Sequence, residues 1–580
     1  MVDTSVSFMR SLCMGVIEEQ IVLPFPRVQD EQRETLRTVI ESIRQLLGSK
    51  ETDFAAWDRA GEMPKEFIEQ LKEFGLFGLI VPEEYGGLGF KSTAYSRTLQ
   101  EVAKYDASVA VTIGAHSSIG MRGLVLFGTD EQKQRFLPRL ATGEMIAAFC
   151  LTEPGAGSDA AAIKTRAEKD GDDWVLTGNK LWITNGGIAD FFTVFARTGD
   201  ESGKVHMTAF IVTRDMEGVS VGPHEHKMGL RASSTTTLHL DSVRVPEQNV
   251  LGPLNKGFKV AMQILNNGRT GLGGGAIGGM KRLIEMSTQY ANQRQTFGKP
   301  ISEYGSIKLK VGQMVVNCYA TEAVVDMVAM LIDQGYEEYA VEAAISKVFA
   351  SEALWQAADE ALQIAGGNGY MCEYPYERIL RDARINRIFE GTNEILRLFI
   401  ALTAMNDVGS QLQELSSTVK GIFDDPIKGF GVMRQYAMKH ATLVTGYPRA
   451  KSRFTLVDPL LREHAAVFED ATRHLAAAVD RILRKHGRNI IGKQLASRRL
   501  ANIMIDLFVL ACVLSRVNSS LAERGAEGAQ RELDILKVFA NQVQRRVRHA
   551  FSLIDINDDE LIKGVADYAF EQERFVWDNI

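Results

Sequence analysis

At 580 residues the chain is longer than one ordinary core supports, so three or four domains or subdomains are expected. With 45% hydrophobic residues, 24% charged residues and a formal net charge of -7, it lacks the basic excess of a general nucleic-acid binder. Its five cysteines (Cys13, Cys150, Cys318, Cys372, Cys512) show no C-x-x-C pair or zinc-type spacing, which argues against a disulfide framework or a metal site and favours a reducing compartment.

Up to about residue 146 the pattern is helical, with apolar residues at three- and four-residue spacing such as Phe67, Leu71 and Phe74. From there to about Val250 the stretches WVLTG, LWITN, FFTVFAR, MTAFIVTR, TTTLHL and VRVP are short, rich in β-branched and aromatic residues, and separated by turn residues. No helical segment lies between them to carry a parallel crossover, so an antiparallel sheet is expected. Helical patterning returns from Gly257 to about Thr403, and a further amphipathic block fills about 410 to 580. The longest apolar run, Ala501 to Ser515, contains Asp506 and is shorter than the roughly 20 residues of a spanning helix, so it reads as the buried helix of a bundle. The expected fold is α+β, mainly α. It comprises an N-terminal helical domain (1–146), a middle β-domain (147–253), a C-terminal helical bundle (254–405) and an extra helical domain (406–580).

Several short strings carry chemistry. In FEGT (389–392) a carboxylate precedes a glycine and follows the arginine-rich RILRDARINRI. A glutamate in an apolar site has its pKa raised towards neutrality and is then a competent general base. Taken alone, Glu390 could equally be a helix-capping glutamate or one paired with Arg384 or Arg387. The loop TEPGAGSD (152–159) offers small residues, backbone N–H groups and hydroxyls, a surface suited to a flavin edge or a pyrophosphate, although an ordinary turn has the same composition. Trp182 and Thr184 are two apart on a strand and so share a face. Arg294 in RQTFG is a planar, permanently charged donor that would suit a pyrophosphate.

Two decoys are set aside. Gly273 to Gly278 satisfies G-x-G-x-x-G, but a helical segment precedes it where the dinucleotide fingerprint needs a strand, so close helix packing is expected. His224-Glu225-His226 lacks the i, i+4 spacing of a helical zinc site.

Taken together and in order, FCLTEPGAGSD (149–159), LWITNGG (181–187), RQTFG (294–298), QIAGGNGY (363–370) and FEGTNEI (389–395) resemble the acyl-CoA dehydrogenase family. The family core is covered by residues 1 to about 405. The extra C-terminal block and NNGR (266–269) point to its very-long-chain branch. The resemblance implies FAD as cofactor and a long- or very-long-chain fatty acyl-CoA as substrate, oxidised to the trans-2-enoyl-CoA in fatty acid β-oxidation. Glu390 would remove the α-proton, a hydride would pass from Cβ to flavin N5, and a backbone N–H with a flavin ribityl hydroxyl would form the oxyanion site.

By the same resemblance Phe149, Leu151, Thr152, Gly157, Ser158, Trp182, Thr184, Thr392 and Glu394 face the FAD. Arg294, Phe297, Gln363, Gly366 and Gly367 reach the FAD of a neighbouring subunit, which makes a homodimer the expected assembly. Ser158, Asn266, Arg269, Phe389 and Gly391 would contact the acyl-CoA, with Arg269 as the CoA-binding arginine. Gly268 stands where some relatives carry the glutamate, which excludes that alternative base and leaves room for a long tail. Tyr304-Gly305 departs from a glutamine found in many members. The implied electron acceptor is an electron-transferring flavoprotein, while an acyl-CoA oxidase or an assembly protein on the same fold are the alternatives.

From Pro426 to Arg453 six basic residues and no acidic one lie among apolar side chains, and a peripheral contact with an anionic membrane is expected there. The N-terminus has no signal-like pattern, so a bacterial cytoplasmic chain, peripheral to the inner membrane, or a processed mitochondrial chain is expected.

Overall fold

The computed structural model describes residues 4–199, 203–420 and 452–578, so most of the basic stretch 426–453 lies outside the described residues. The chain divides into two compact units, Phe25–Ile395 and a second made of Met1–Pro24 with Leu396–Ile580.

In the first unit, helices up to Asp130–Thr142 precede the strands β1 (Ala147–Cys150), β2 (Arg166–Asp170), β3 (Asp173–Thr184), β4 (Phe191–Gly199), β5 (Val205–Thr213), β6 (Val219–Val221), β7 (Thr235–Pro246) and β8 (Val250–Leu251). The strand order is β6-β7-β3-β2-β4-β5-β8, with β1 also paired to β4. Most pairs are antiparallel as expected, but β1 runs parallel to β4, with Ala147 opposite Phe191 and Cys150 opposite Val194. The chain between them contains the antiparallel pair β2–β3, so the crossover is made by strands where the sequence expectation allowed only a helix. The run FFTVFA of β4 is buried on both faces. Phe191 and Phe195 join the core shared with the helices, while Phe192, Val194 and Ala196 join a second core with Leu238, Val243 and Val245.

The helices Gly257–Gln293, Gly305–Asp333 and Ala340–Ala365 follow the sheet. All the glycines of the false dinucleotide motif lie inside the first of these. A methyl group on Gly278 would sit 2.2 Å from the Gln100 carbonyl oxygen, and one on Gly274 would sit 2.5 Å from that of Ser96. The glycines therefore bring this helix against Ser92–Tyr105 at backbone distance.

The second unit packs Phe8 against Phe468 and Phe508, with ring centroids 6.3 and 6.0 Å apart. The first 24 residues thus group with the C-terminal helices, which differs from the expected 1–146 domain, because their apolar partners lie more than 400 residues away in sequence. The apolar run around Asp506 belongs to a helix of 35 residues, Gln494–Gly528. That is long enough to cross a membrane, contrary to the length read from the sequence, and 89% of its apolar window is buried within the protein. Ala107–Phe127 and Gly305–Asp333 also have the length and composition of spans. Asp506 is held by Arg546 at 2.6 Å, which accounts for a carboxylate in an apolar helix.

Candidate functional site

Glu390 lies between the short helix Ile385–Arg387 and the helix beginning at Asn393. Its backbone is left-handed, at φ 54°, as is that of Gly391 at φ 92°. Such a conformation is costly for a residue with a side chain and persists only where the surroundings over-determine it. The helix Tyr376–Arg384 just before it is fixed by ion pairs to other elements of the unit. Arg378 meets Asp106 at 2.9 Å and Arg381 meets Asp58 at 2.7 Å, while the Asp382 carboxylate accepts the backbone N–H of Leu230.

The Glu390 carboxyl makes no hydrogen bond among the described residues, and its Oε2 is buried without a partner. Neither Arg384 nor Arg387 pairs with it. Arg384 lies over the Trp355 ring, 5.7 Å from its centroid, so the salt-bridged alternative is not realised. Burial pushes the Glu390 carboxyl above the usual carboxylate range, opposed by the positive charges of Lys347 and Arg269.

Arg269 sits within electrostatic reach of Glu390. Its side chain is 5% exposed, burial brings its pKa down to about 10, and its Nη1 donates to Asn266 Oδ1 at 2.5 Å. Asn266 therefore orients the arginine whose charge acts on Glu390. Tyr95, buried and within electrostatic reach of Glu390, is pushed up to about 12 by burial and shares a 2.7 Å hydrogen bond with Ser118. Gly268 gives no open space. A methyl group there would meet Ile119 Cγ2 at 2.9 Å, so the room expected for an acyl tail at this position is already filled by packing.

The segment Ala115–Gly120, a π-helix, borders both Gly268 and the sheet. Thr193 Oγ1 donates to the Gly120 carbonyl at 2.8 Å, and Asn185 Nδ2 donates to that of Thr112 at 2.9 Å. Asn185 closes the end of β3, where the register with β7 shifts between Lys180 and Ile183. Trp182 lies within that bulge at φ 56° and is 62% exposed, while Ile183 is buried. The bulge turns the indole outward, and Trp182 and Thr184 both lie on the less buried side with Ile183 inward between them. Nearby, Phe149 packs on Phe195 at 5.1 Å, Leu151 is buried, and Thr152 accepts the N–H of Leu181 at 2.9 Å. The loop beyond is anchored by Glu153, whose carboxylate meets the fully buried Lys180 at 2.7 Å and accepts the Thr165 N–H at 3.0 Å. Past this anchor Gly157 and Ser158 are exposed, and a methyl group on Gly155 or Gly157 would meet nothing within 4 Å. An outward indole beside an open, small-residue loop fits a planar ring system and its phosphates.

A third group lies elsewhere. Arg294 caps the C-terminal end of the helix that carries Arg269, 25 residues further on, which at 1.5 Å per residue is about 37 Å away. The hairpin after it pairs Gln295–Thr296 with Lys299–Pro300, and both turn residues have positive φ, Phe297 at 52° and Gly298 at 82°. Phe297 is 92% exposed at the tip. Tyr304 braces the hairpin through its hydroxyl to Thr296 O at 2.8 Å, which gives the departure at 304 a local role. Gln363, Gly366 and Gly367 are exposed at the end of Ala340–Ala365, and Asn368 reaches Tyr290 at 3.4 Å. Thr392 accepts the Ile395 N–H at 3.3 Å, Glu394 is exposed and Phe389 half-buried.

Sequence reasoning missed Glu153, Lys180, Tyr95 and Lys347. The available signal was a lysine inside an apolar stretch, as in AISKVFA (344–350) and NKLWI (179–183).

Four family models match the chain. They are the acyl-CoA dehydrogenase N-terminal domain at 29–144, the middle domain at 148–243, the C-terminal domain at 255–405, and the ACAD9/ACADV C-terminal domain at 459–574. The human very long-chain specific acyl-CoA dehydrogenase, mitochondrial, is 42% identical over 559 residues, covering 95% of this chain and 84% of that protein. This chain belongs to the acyl-CoA dehydrogenase family. An acyl-CoA dehydrogenase from Bacillus anthracis, solved in complex with FAD, superposes with a TM-score of 0.80 at 32% identity, covering 98% of this chain and 96% of that one. Butyryl-CoA dehydrogenase from Megasphaera elsdenii superposes with a TM-score of 0.61 at 37% identity, covering 65% of this chain and 98% of that one.

Proposed function

We propose that this acyl-CoA dehydrogenase oxidises long- or very-long-chain fatty acyl-CoA to the trans-2-enoyl-CoA, with Glu390 as the base that takes the α-proton. The observation that carries this reading is the Glu390 carboxyl itself, buried at Oε2, unbonded, and held in a left-handed backbone. A carboxyl that spends no hydrogen bond on the protein is free to accept a proton from carbon, and a dry site keeps it basic. The positive charges of Arg269 and Lys347 oppose the cost of burial and favour its ionised form. Arg269, oriented by Asn266, also offers a donor with an unpartnered Nε towards negative charge developing on the substrate. Phe389 and Gly391 flank the base, one limiting water and the other permitting close approach of the thioester.

FAD, supported by the family and by the fit of the loop and indole, would supply the acceptor for the hydride from Cβ, and an electron-transferring flavoprotein is the electron acceptor that the resemblance implies. Phe149, Leu151, Thr152, Gly157, Ser158, Trp182, Thr184, Thr392 and Glu394 are assigned to holding it. Arg294, Phe297, Gln363, Gly366 and Gly367 are assigned to the cofactor of a second copy, because about 37 Å of helix separates Arg294 from Arg269.

The test is anaerobic bleaching of the flavin by a series of acyl-CoA lengths, with Glu390→Gln as control. Wild-type protein should bleach with long chains and the variant should not. Bleaching of the variant at the wild-type rate would remove the base assignment. Hydrogen peroxide formed in air on adding acyl-CoA would favour the oxidase alternative.

A further inference from the structure

Lys347 lies on the helix Ala340–Ala365 between Ile345 and Val348, and like them it is fully buried. A buried ammonium costs several kcal/mol unless it is bonded. Lys347 spends its donors within three residues of the base. Its Nζ donates to the Gly391 carbonyl at 2.8 Å and to Asn393 Oδ1 at 2.9 Å. One helical turn on, Ser351 accepts from Asn393 Nδ2 at 3.0 Å, and Glu352 accepts from the same amide at 3.2 Å. Asn393 is itself fully buried. One turn of a rigid helix therefore grips both the carbonyl immediately after Glu390 and the first residue of the next helix, while leaving the Glu390 carboxyl unbonded.

We propose that Lys347 is a positioning residue for proton abstraction: its buried side chain clamps the turn Gly391–Asn393, holds Glu390 in its left-handed conformation and keeps a positive charge beside the carboxylate. This rests on Glu390 being the base. A neutral hydrogen-bonding side chain could hold the turn, but only a cation also favours the ionised carboxyl. Burial brings Lys347 down to about 7 and pushes Glu390 up, and each favours the charged form of the other. Arg269 faces the same pair, favouring the Glu390 anion and disfavouring the Lys347 cation, while Glu352 and Glu394 favour the cation.

The experiment compares Lys347→Met, Lys347→Gln and Ser351→Ala as FAD-loaded proteins, reading the rate of flavin reduction against pH, together with FAD content and the dissociation constant for a long-chain acyl-CoA. Loss of the clamp should slow reduction on the order of 10²-fold in Lys347→Met, the size expected of a misplacement near 1 Å, with little change in substrate affinity. Removing the cation also raises the Glu390 pKa, so the acidic limb of the profile should move to higher pH in both lysine variants. Lys347→Gln, which keeps an N–H donor, should recover rate at high pH without restoring the limb. Ser351→Ala should show a smaller loss and an unmoved limb. Wild-type rates and limbs in the folded lysine variants would overturn the proposal. If Lys347→Met does not fold, the same outcome in Lys347→Gln decides. Glu390→Gln run alongside separates the two ideas: activity there removes the base, whereas an inactive Glu390→Gln with unaffected lysine variants removes only the clamp.

Discussion

The two units treat buried charge in opposite ways. In Leu396–Ile580 the deeply placed carboxylate, Asp506, is met by a guanidinium held by two of its nitrogens, so its charge is spent on holding helices together. In Phe25–Ile395 the Glu390 carboxylate has no hydrogen bond among the described residues, and the cations near it bond to other atoms. A paired charge marks architecture, and a charge left unpaired in a site that could have paired it marks chemistry. The surfaces differ as well. The helix Asp559–Gln572 carries no buried residue, with Leu561 and Phe570 largely exposed, whereas the exposed aromatics Trp182 and Phe297 stand at strained backbone positions.

The largest effect that would sharpen this contrast is catalytic. Glu390→Gln should lower the rate of flavin reduction by about 10² to 10⁴-fold, measured by stopped flow, while leaving the fold intact. In the other unit Arg546→Ala should do the reverse. It leaves the Asp506 carboxylate buried and unpaired, which should cost about 2–4 kcal/mol in denaturant unfolding, discounted because Arg546 is 46% exposed, without changing the rate per folded active site. Gly278→Ala should destabilise by about 1–3 kcal/mol, since its methyl group meets a backbone carbonyl that cannot move aside. A neutral result there would break the reading of the glycine run as helix packing.

The smallest effect has the opposite sign. A carboxyl whose folded pKa is raised costs stability as pH rises from its unfolded value through its folded one, so at neutral pH Glu390 destabilises the protein. Glu390→Gln should therefore melt higher than wild type near pH 7, and the gap should close as the pH falls below the ordinary glutamate range. For the same reason wild-type activity should fall on acidification at a pH above that range, because the protonated base cannot act.

What could be read from the sequence divides along the same line. Element types and the order helices–strands–helices were legible because they depend on local periodicity, and the string FEGT was enough to mark Glu390 as a candidate. The parallel pairing of β1 with β4 was not, because pairing direction depends on how the intervening β2–β3 pair returns the chain. The grouping of Phe8 with Phe468 and Phe508 was equally hidden, being a contact between opposite ends of the sequence. At the site, Glu390 was visible, but Lys347 is 43 positions upstream in a different helix and its role exists only once Gly391 and Asn393 fold back on it. Arg269 was noticed, but its burial beside Glu390 was not, since burial is a property of the packed helices and NNGR alone does not reveal it.

The rod from Gly257 to Gln293 has one consequence for genetics. Arg269 lies about a third of the way along this helix and the Phe297 hairpin follows its far end, and on the proposed two-copy reading each chain would lend that far end to its neighbour. A chain damaged only at Glu390 and another damaged only at the hairpin would then be complementary when expressed together. The mixed pair assembles one intact site from two defective alleles, so neither lesion alone predicts the activity of a cell that carries both.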